Sequence, residues 1–175
     1  RVQRMQVNLI AVDEAHCISQ WGNDFRPAYK NINVLRQMHP HVNCIALTAT
    51  AKHNVVEDII DNLDFVSPKI YKASFLRPNI AYNVVHTDDK LYQLEHLINA
   101  HQGSSIIYVR NRRATTNIHN YLTAKGFSST FYHGGITTKE KQDRLYQWSH
   151  NQKLIMVATT AFGMGIDKAD VKTVI

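Results

Sequence analysis

Val7-Asn8-Leu9-Ile10-Ala11-Val12-Asp13-Glu14-Ala15-His16 sets an apolar run directly against an acidic turn. A short continuous apolar run that closes on charged residues is the pattern of a buried strand in a parallel sheet. Ligands of such sheets gather at the carboxyl ends of strands, which predicts that Asp13 and Glu14 face a cleft. One carboxylate there can hold Mg²⁺, often through its waters, and the next can polarise an attacking water. Splitting a nucleoside triphosphate requires both tasks. The plain alternative is a solvated strand end, with His16 as a capping residue.

Outward from this turn, strands and helices alternate, as expected of helices covering a parallel sheet. Asn43-Cys44-Ile45-Ala46-Leu47 reads as a second strand closed by Thr48-Ala49-Thr50. Val55, Val56, Ile59, Ile60 and Leu63 share one helical face, with Asn54 as the N-cap. Pro68 to Ser74 reads as a further strand. Pro78 then interrupts the pattern, because it restricts Arg77 and cannot continue a ladder.

A second series follows: a strand over 80–86, an amphipathic helix around Leu91, Leu94, Leu97 and Ile98, and a strand over 105–109. A helix over 114–125 is stopped by Gly126. Strands over 129–132, 154–159 and 171–175 and a helix from Thr138 to Ser149 complete the reading. The expected fold class is α/β, with parallel sheets flanked by helices in two incomplete units, residues 1–75 and 76–175. A chain that opens just before a buried strand and ends inside another predicts a fragment.

Composition narrows the setting. At 44% hydrophobic and 19% charged, 175 residues can bury a core, so global disorder is excluded. No apolar run approaches the ~20 residues of a membrane span, and no signal segment opens the chain. Two cysteines, Cys17 and Cys44, exclude a disulfide scaffold and a four-thiolate zinc site. Cys17, His39, His41 and Cys44 have no recognised metal spacing. The net charge of +6 lies mainly in 76–175, with 12 basic and 7 acidic side chains against 8 and 7 before them. That excess suits a polyanionic partner.

The loop Cys17-Ile18-Ser19-Gln20-Trp21-Gly22-Asn23-Asp24-Phe25-Arg26-Pro27-Ala28-Tyr29 places two aromatics and an arginine between Gly and Pro. With the acidic tetrapeptide before it, this resembles the aromatic-rich loop of RecQ-type DNA helicases of superfamily 2. Ala46-Leu47-Thr48-Ala49-Thr50-Ala51 resembles motif III of that family, and Ser74 to Ile80 the segment joining its two RecA-like domains. Ile106-Ile107-Tyr108-Val109-Arg110-Asn111-Arg112 resembles motif IV, and Tyr132-His133-Gly134-Gly135 the motif after it. Ala158 to Lys168, with Gly163-Met164-Gly165-Ile166-Asp167, resembles motif V. Six matches in the family's order span nearly the whole chain. Asn23 and Leu76 depart from the family pattern, as does Val109-Arg110-Asn111.

This resemblance implies the core of an ATP-dependent 3′–5′ DNA helicase, coupling ATP hydrolysis to single-strand translocation and duplex unwinding in repair and recombination. Residues 1–75 would be the C-terminal part of the first RecA-like domain, and 76–175 most of the second. It implies ATP and Mg²⁺, with Asp13 binding the metal, Glu14 activating water and His16 linking the nucleotide site to the aromatic loop. Thr48 and Thr50 would couple nucleotide state to domain closure, or simply make strand-end hydrogen bonds. Trp21, Phe25 and Arg26 would engage single-stranded DNA, where stacking contributes ~1–3 kcal/mol per base. Core packing is the alternative for the two aromatics.

Arg112, His133 and Gly134 would contact the sugar-phosphate chain, and Gly163, Gly165 and Asp167 the nucleotide. The implied partners are single-stranded and duplex DNA, without a membrane, and the chain is expected to be a monomer. The implied location is intracellular: cytoplasmic and nucleoid-associated, or nuclear. The 175 residues contain no Gly-x-x-x-x-Gly-Lys-Ser/Thr phosphate loop, no arginine-finger segment and no Cys₄ zinc module, all of which the family has. A chain lacking them is expected to bind DNA or a partner without turning over ATP.

Overall fold

The computed structural model describes residues 4–19, 27–101, 103–163 and 166–175. They divide into two compact units, Arg1–Ala81 and Tyr82–Ile175.

In the first unit, β1 (Leu9–Val12) and β2 (Asn43–Ala46) pair in parallel, Leu9 opposite Asn43 and Val12 opposite Ala46. Parallel neighbours need a long crossover. Two 3₁₀ segments, Ala15–Ile18 and Pro27–Ile32, and α1 (Asn33–Met38) lie within it. Ile10 and Val12 point into a core with Ala15, Ile18, Ile59 and Leu63, the last two from α2 (His53–Asn62) and its C-cap. The two-residue period sends Leu9 and Ile45 the other way, where they are 57% and 43% exposed. The pair is therefore covered on one face, not on both as the apolar run suggested, because the described helices pack only there. Helix α2 starts one residue before the expected cap: Lys52 is the N-cap and no side chain bonds there.

The second unit is a four-stranded parallel sheet in the spatial order Ser129–Tyr132, Ile155–Ala158, Ser104–Tyr108, Val171–Val174. Its elements are α3 (Lys90–Ala100), β3 (Ser104–Tyr108), α4 (Arg112–Ala124), β4 (Ser129–Tyr132), α5 (Thr138–Ser149), β5 (Ile155–Ala158) and β6 (Val171–Val174). Every residue of β5 is buried, because helices cover both faces. Alternation divides them: Ile155 and Val157 join Leu94, Ile107 and Leu122 on one face. Met156 and Ala158 join Trp148 and Phe162 on the other.

The helix ends follow local chemistry. Asp89 caps α3 by accepting from the amides of Leu91 and Tyr92. Thr137 and Glu140 form a reciprocal capping box at the start of α5. Gly126, at φ 86°, ends α4. Its amide donates to Thr123 O at 3.0 Å and that of Phe127 to Leu122 O at 2.9 Å, the paired bonds of a Schellman motif.

The strands expected over 68–74 and 80–86 do not form, and no strand lies between Leu63 and Asp89. Their β-rich composition signals a preference for a pleated surface. A strand also needs a neighbour, and no described strand lies alongside. Tyr71, Tyr82 and Val84 stand almost fully exposed.

Candidate functional sites

In the first unit, the acidic turn is stitched to the exit of β2. Leu47 N donates to Val12 O at 2.8 Å and Ala15 N to Leu47 O at 2.9 Å. Asp13 and Glu14 are thereby pushed out at the carboxyl end of β1, while Ala15, Cys17 and Ile18 are buried beneath them. Glu14 adopts the left-handed conformation (φ 50°, ψ 40°), unusual for a residue with a Cβ. Asp13 is exposed, and its Oδ1 accepts from Glu14 N at 2.8 Å. The Tyr29 hydroxyl donates to Asp13 O at 3.2 Å.

Two oxygens converge on one nitrogen of His16. Nδ1 lies 3.0 Å from Thr48 Oγ1 and 3.2 Å from Glu14 Oε2. The Thr48 hydroxyl donates to Thr50 O and its oxygen accepts from Thr50 N, both at 3.3 Å. With that hydrogen committed, Thr48 can only accept from the imidazole, and a carboxylate has no proton to give. The network thus assigns the proton to Nδ1. Nε2 lies 3.7 Å from Cys17 Sγ. Glu14, His16, Thr48 and Thr50 form one connected group.

In the second unit, an open groove of about 710 Å³ runs across the carboxyl ends of β3, β4 and β5. Arg110, Asn111, Arg112 and Arg113 form one wall, Thr159, Thr160 and Ala161 another, and Gly134 joins them. Asn111 caps α4, its Oδ1 accepting from Ala114 N at 2.8 Å, so the arginines surround a helix N-terminus. Cationic side chains and free amides at such an end favour an anion. A Cβ built on Gly135 would lie 3.1 Å from Arg112 Nη1, so the glycine lets the guanidinium lie against the turn. His133 Nδ1 accepts from Gly135 N at 3.1 Å, leaving its proton on Nε2.

Behind the groove lie contacts that sequence reasoning missed. The Arg144 guanidinium sits 3.8 Å over the Phe131 ring, which stacks on His133 at 5.6 Å and tilts against His119 at 5.1 Å. Burial, then Arg144 and Lys153, hold the His119 pKa below its ordinary value. Glu140 is held below the usual carboxylate range by the Thr137 amide and hydroxyl. Lys168 is almost buried, 5.3 Å from the Trp148 ring and paired with Asp170 and Asn151. The i,i+4 spacing of Glu140 and Arg144 is visible in the sequence. The aromatic partners, which depend on the packing of α5 on β4, are not.

The sites expected from sequence are thus partly assembled. Asp13, Glu14, His16, Thr48 and Thr50 lie at one strand end, and Arg112, His133 and Gly134 at another. Gly163 packs against Tyr108, and Asp167 is exposed; neither lines the groove. Trp21, Phe25, Arg26 and Gly165 lie outside the described residues.

Two family models match: the DEAD/DEAH box helicase domain over residues 1–59 and the helicase conserved C-terminal domain over 89–175. The chain is 40% identical to an ATP-dependent DNA helicase RecQ of Pasteurella multocida, over 99% of its own length and 28% of that protein. It is 36% identical to RecQ of Bacillus subtilis over 99% and 30%. Identity is 39% to the RecQ-like DNA helicase BLM of Xenopus laevis, over 99% and 13%. The chain therefore spans less than a third of these relatives. Saccharomyces cerevisiae Dbp5 bound to RNA and ADP BeF3 aligns with a TM-score of 0.69 at 20% identity, over 97% of this chain and 45% of that one. At that identity the likeness shows the fold alone.

Proposed function

Because the chain belongs to the RecQ-type family of superfamily 2 helicases, we propose that it forms part of an ATP-driven 3′–5′ DNA motor. The observation that carries this reading is the convergence of Glu14 and Thr48 on His16 Nδ1 at the end of a parallel strand. Glu14 accepts a proton as the oxygen of water bonds to the γ-phosphorus and the bond to ADP breaks. His16 senses that change directly, since its Nδ1 proton is shared between the Glu14 carboxylate and Thr48. Thr48 passes it to Thr50 through the two bonds that join them.

Asp13 suits Mg²⁺: it is an exposed carboxylate, and Mg²⁺ is commonly held by one or two carboxylates with waters and substrate phosphates. When bound, the ion neutralises developing charge on the phosphates. In the second unit, Arg112, His133 and Gly134 hold the sugar-phosphate chain of DNA, and Asp167 offers an acceptor to a ribose hydroxyl. Trp21, Phe25 and Arg26 stack on and neutralise a single strand. Repair and recombination, and a nuclear or nucleoid setting, belong to the same proposal.

The test is ATP hydrolysis by the natural gene product with and without single-stranded DNA. Stimulated turnover that Glu14→Gln abolishes is expected; turnover that survives the substitution would sink the assignment. A second reading concerns the 175 residues alone, which carry no Gly-x-x-x-x-Gly-Lys-Ser/Thr loop. By themselves they bind DNA without hydrolysing ATP, and DNA-stimulated turnover by this chain would refute that.

A further inference from the structure

The family resemblance implies nucleotide contact for Gly163, but its surroundings point to different work. Tyr108 ends β3 on the sheet face of Ile106, the face that carries Trp148 and Phe162. Its hydroxyl reaches across β5 and donates to Phe162 O at 3.0 Å. Phe162 is 2% exposed, edge-on to Trp148 at 5.4 Å and tilted against Tyr132 at 5.0 Å. Thr159 N donates to Tyr132 O at 3.2 Å and Phe162 N to Thr159 O at 2.9 Å. These bonds close a turn over 159–162 whose middle residues, Thr160 and Ala161, wall the arginine groove. Gly163 follows at φ 136°, and a Cβ there would lie 2.8 Å from Tyr108 Oη. Real carbons do not approach so closely, so a side chain at 163 would displace the Tyr108 hydroxyl and break its bond to Phe162 O, while the backbone of Tyr108 stays held in the sheet, its N donating to Ile175 O at 2.7 Å.

We propose that Tyr108 is a positioning residue for the groove, clasping the turn over 159–162 through Phe162 O, and that Gly163 is required to admit its hydroxyl. The clasp stands on these contacts; its consequence for binding rests on the nucleic-acid reading of the groove. If Gly163 were needed only for its positive φ, removing the Tyr108 hydroxyl would not relieve a side chain at 163. If it admits the hydroxyl, Tyr108→Phe clears the space while keeping the ring packed.

The experiment is a double-variant cycle on the 175-residue chain with Tyr108→Phe, Gly163→Ala and both together. Binding to an oligo-dT strand is read by fluorescence anisotropy and stability by thermal unfolding. Tyr108→Phe is expected to weaken binding three- to tenfold, about the effect of one lost hydrogen bond. Gly163→Ala should weaken it more than tenfold, and the double variant should bind better than Gly163→Ala alone, with the unfolding midpoints showing the same partial rescue. Losses that multiply in binding and add in unfolding would overturn the proposal. Should Gly163→Ala not fold, recovery of folding in the double variant supports the clasp and continued failure refutes it. An unsubstituted chain that does not bind the strand would refute the groove reading and with it the positioning role, while the unfolding cycle still decides the clasp.

Discussion

His16 Nδ1 stands 3.0 Å from Thr48 Oγ1, joining the acidic turn after β1 to the turn after β2 across 32 residues of sequence. The parallel register makes this meeting unavoidable: with Val12 opposite Ala46, the residues that follow each strand leave the sheet side by side.

The first prediction concerns that contact. His16→Ala should leave the fold intact, because the imidazole is a third or more exposed and its loss opens no core cavity. The expected stability change is about 0.5–1.5 kcal/mol, the value of a hydrogen bond. In the natural gene product, stimulation of ATP hydrolysis by DNA should fall at least tenfold, with basal hydrolysis less affected. Thr48→Ala should reproduce the loss, and the double variant should be no worse than either alone. Independent losses in a steady-state assay would show that the two residues do not act together.

A second prediction separates backbone strain from crowding. Gly126 adopts φ 86° with nothing within 4 Å of a Cβ built on it. Gly126→Ala should therefore cost only the left-handed penalty, about 1–2 kcal/mol, lowering the second unit's midpoint by roughly 4–8 °C per kcal/mol. Oligonucleotide affinity should be unchanged. Calorimetry showing no shift would mean that the Schellman turn is not the conformation in solution.

Gly126 also shows what the sequence makes legible. A glycine after an amphipathic run is a local signal, and so is Thr138 opening a helix; β4 and α5 lie where pattern alone puts them. The acidic turn and the Thr48 turn are legible because their chemistry is written in adjacent residues. The Tyr108–Phe162 bond, across 54 positions, has no local signature, and the Arg144–Phe131–His133 stack depends on how α5 lies on β4. The segments over 68–74 and 80–86 mislead for a related reason: composition shows that a segment could pair, while pairing itself depends on another strand.

His119 predicts a pH dependence. Its Nδ1 lies 2.8 Å from Ser129 Oγ, Phe131 covers its ring, and Arg144 and Lys153 oppose added charge. Its folded pKa is lowered, so between the unfolded pKa of about 6.5 and the folded value the unfolded chain binds more protons. Stability is thus fully present above the unfolded pKa and is lost as pH falls through it toward the folded pKa. Glu95, Glu140 and Asp170 have lowered pKa values and add a separate loss at more acid pH, as they protonate. Unfolding midpoints measured from pH 7.5 to 5.5 should drop, and His119→Gln should flatten that slope while leaving the acid limb. An unchanged slope in the variant would assign the dependence to other groups.

The last prediction tests the groove by its salt dependence. On single strands each phosphate neutralised contributes about −0.7 to the slope of log affinity against log salt. Arg112, laid along the Gly134–Gly135 turn and facing the groove, should supply one such contact. Arg112→Ala should weaken binding about equally for all base sequences, because phosphate contacts position a strand without reading it. It should also make the slope shallower by about 0.7. Arg144 is the matched control: it carries the same charge, but its guanidinium lies on Phe131 with the side chain only 23% exposed. Arg144→Ala should lower the unfolding midpoint of the second unit and leave the salt slope near its original value. If both variants changed the slope alike, the effect would be one of overall charge, and the groove would lose its claim to be the phosphate-binding surface.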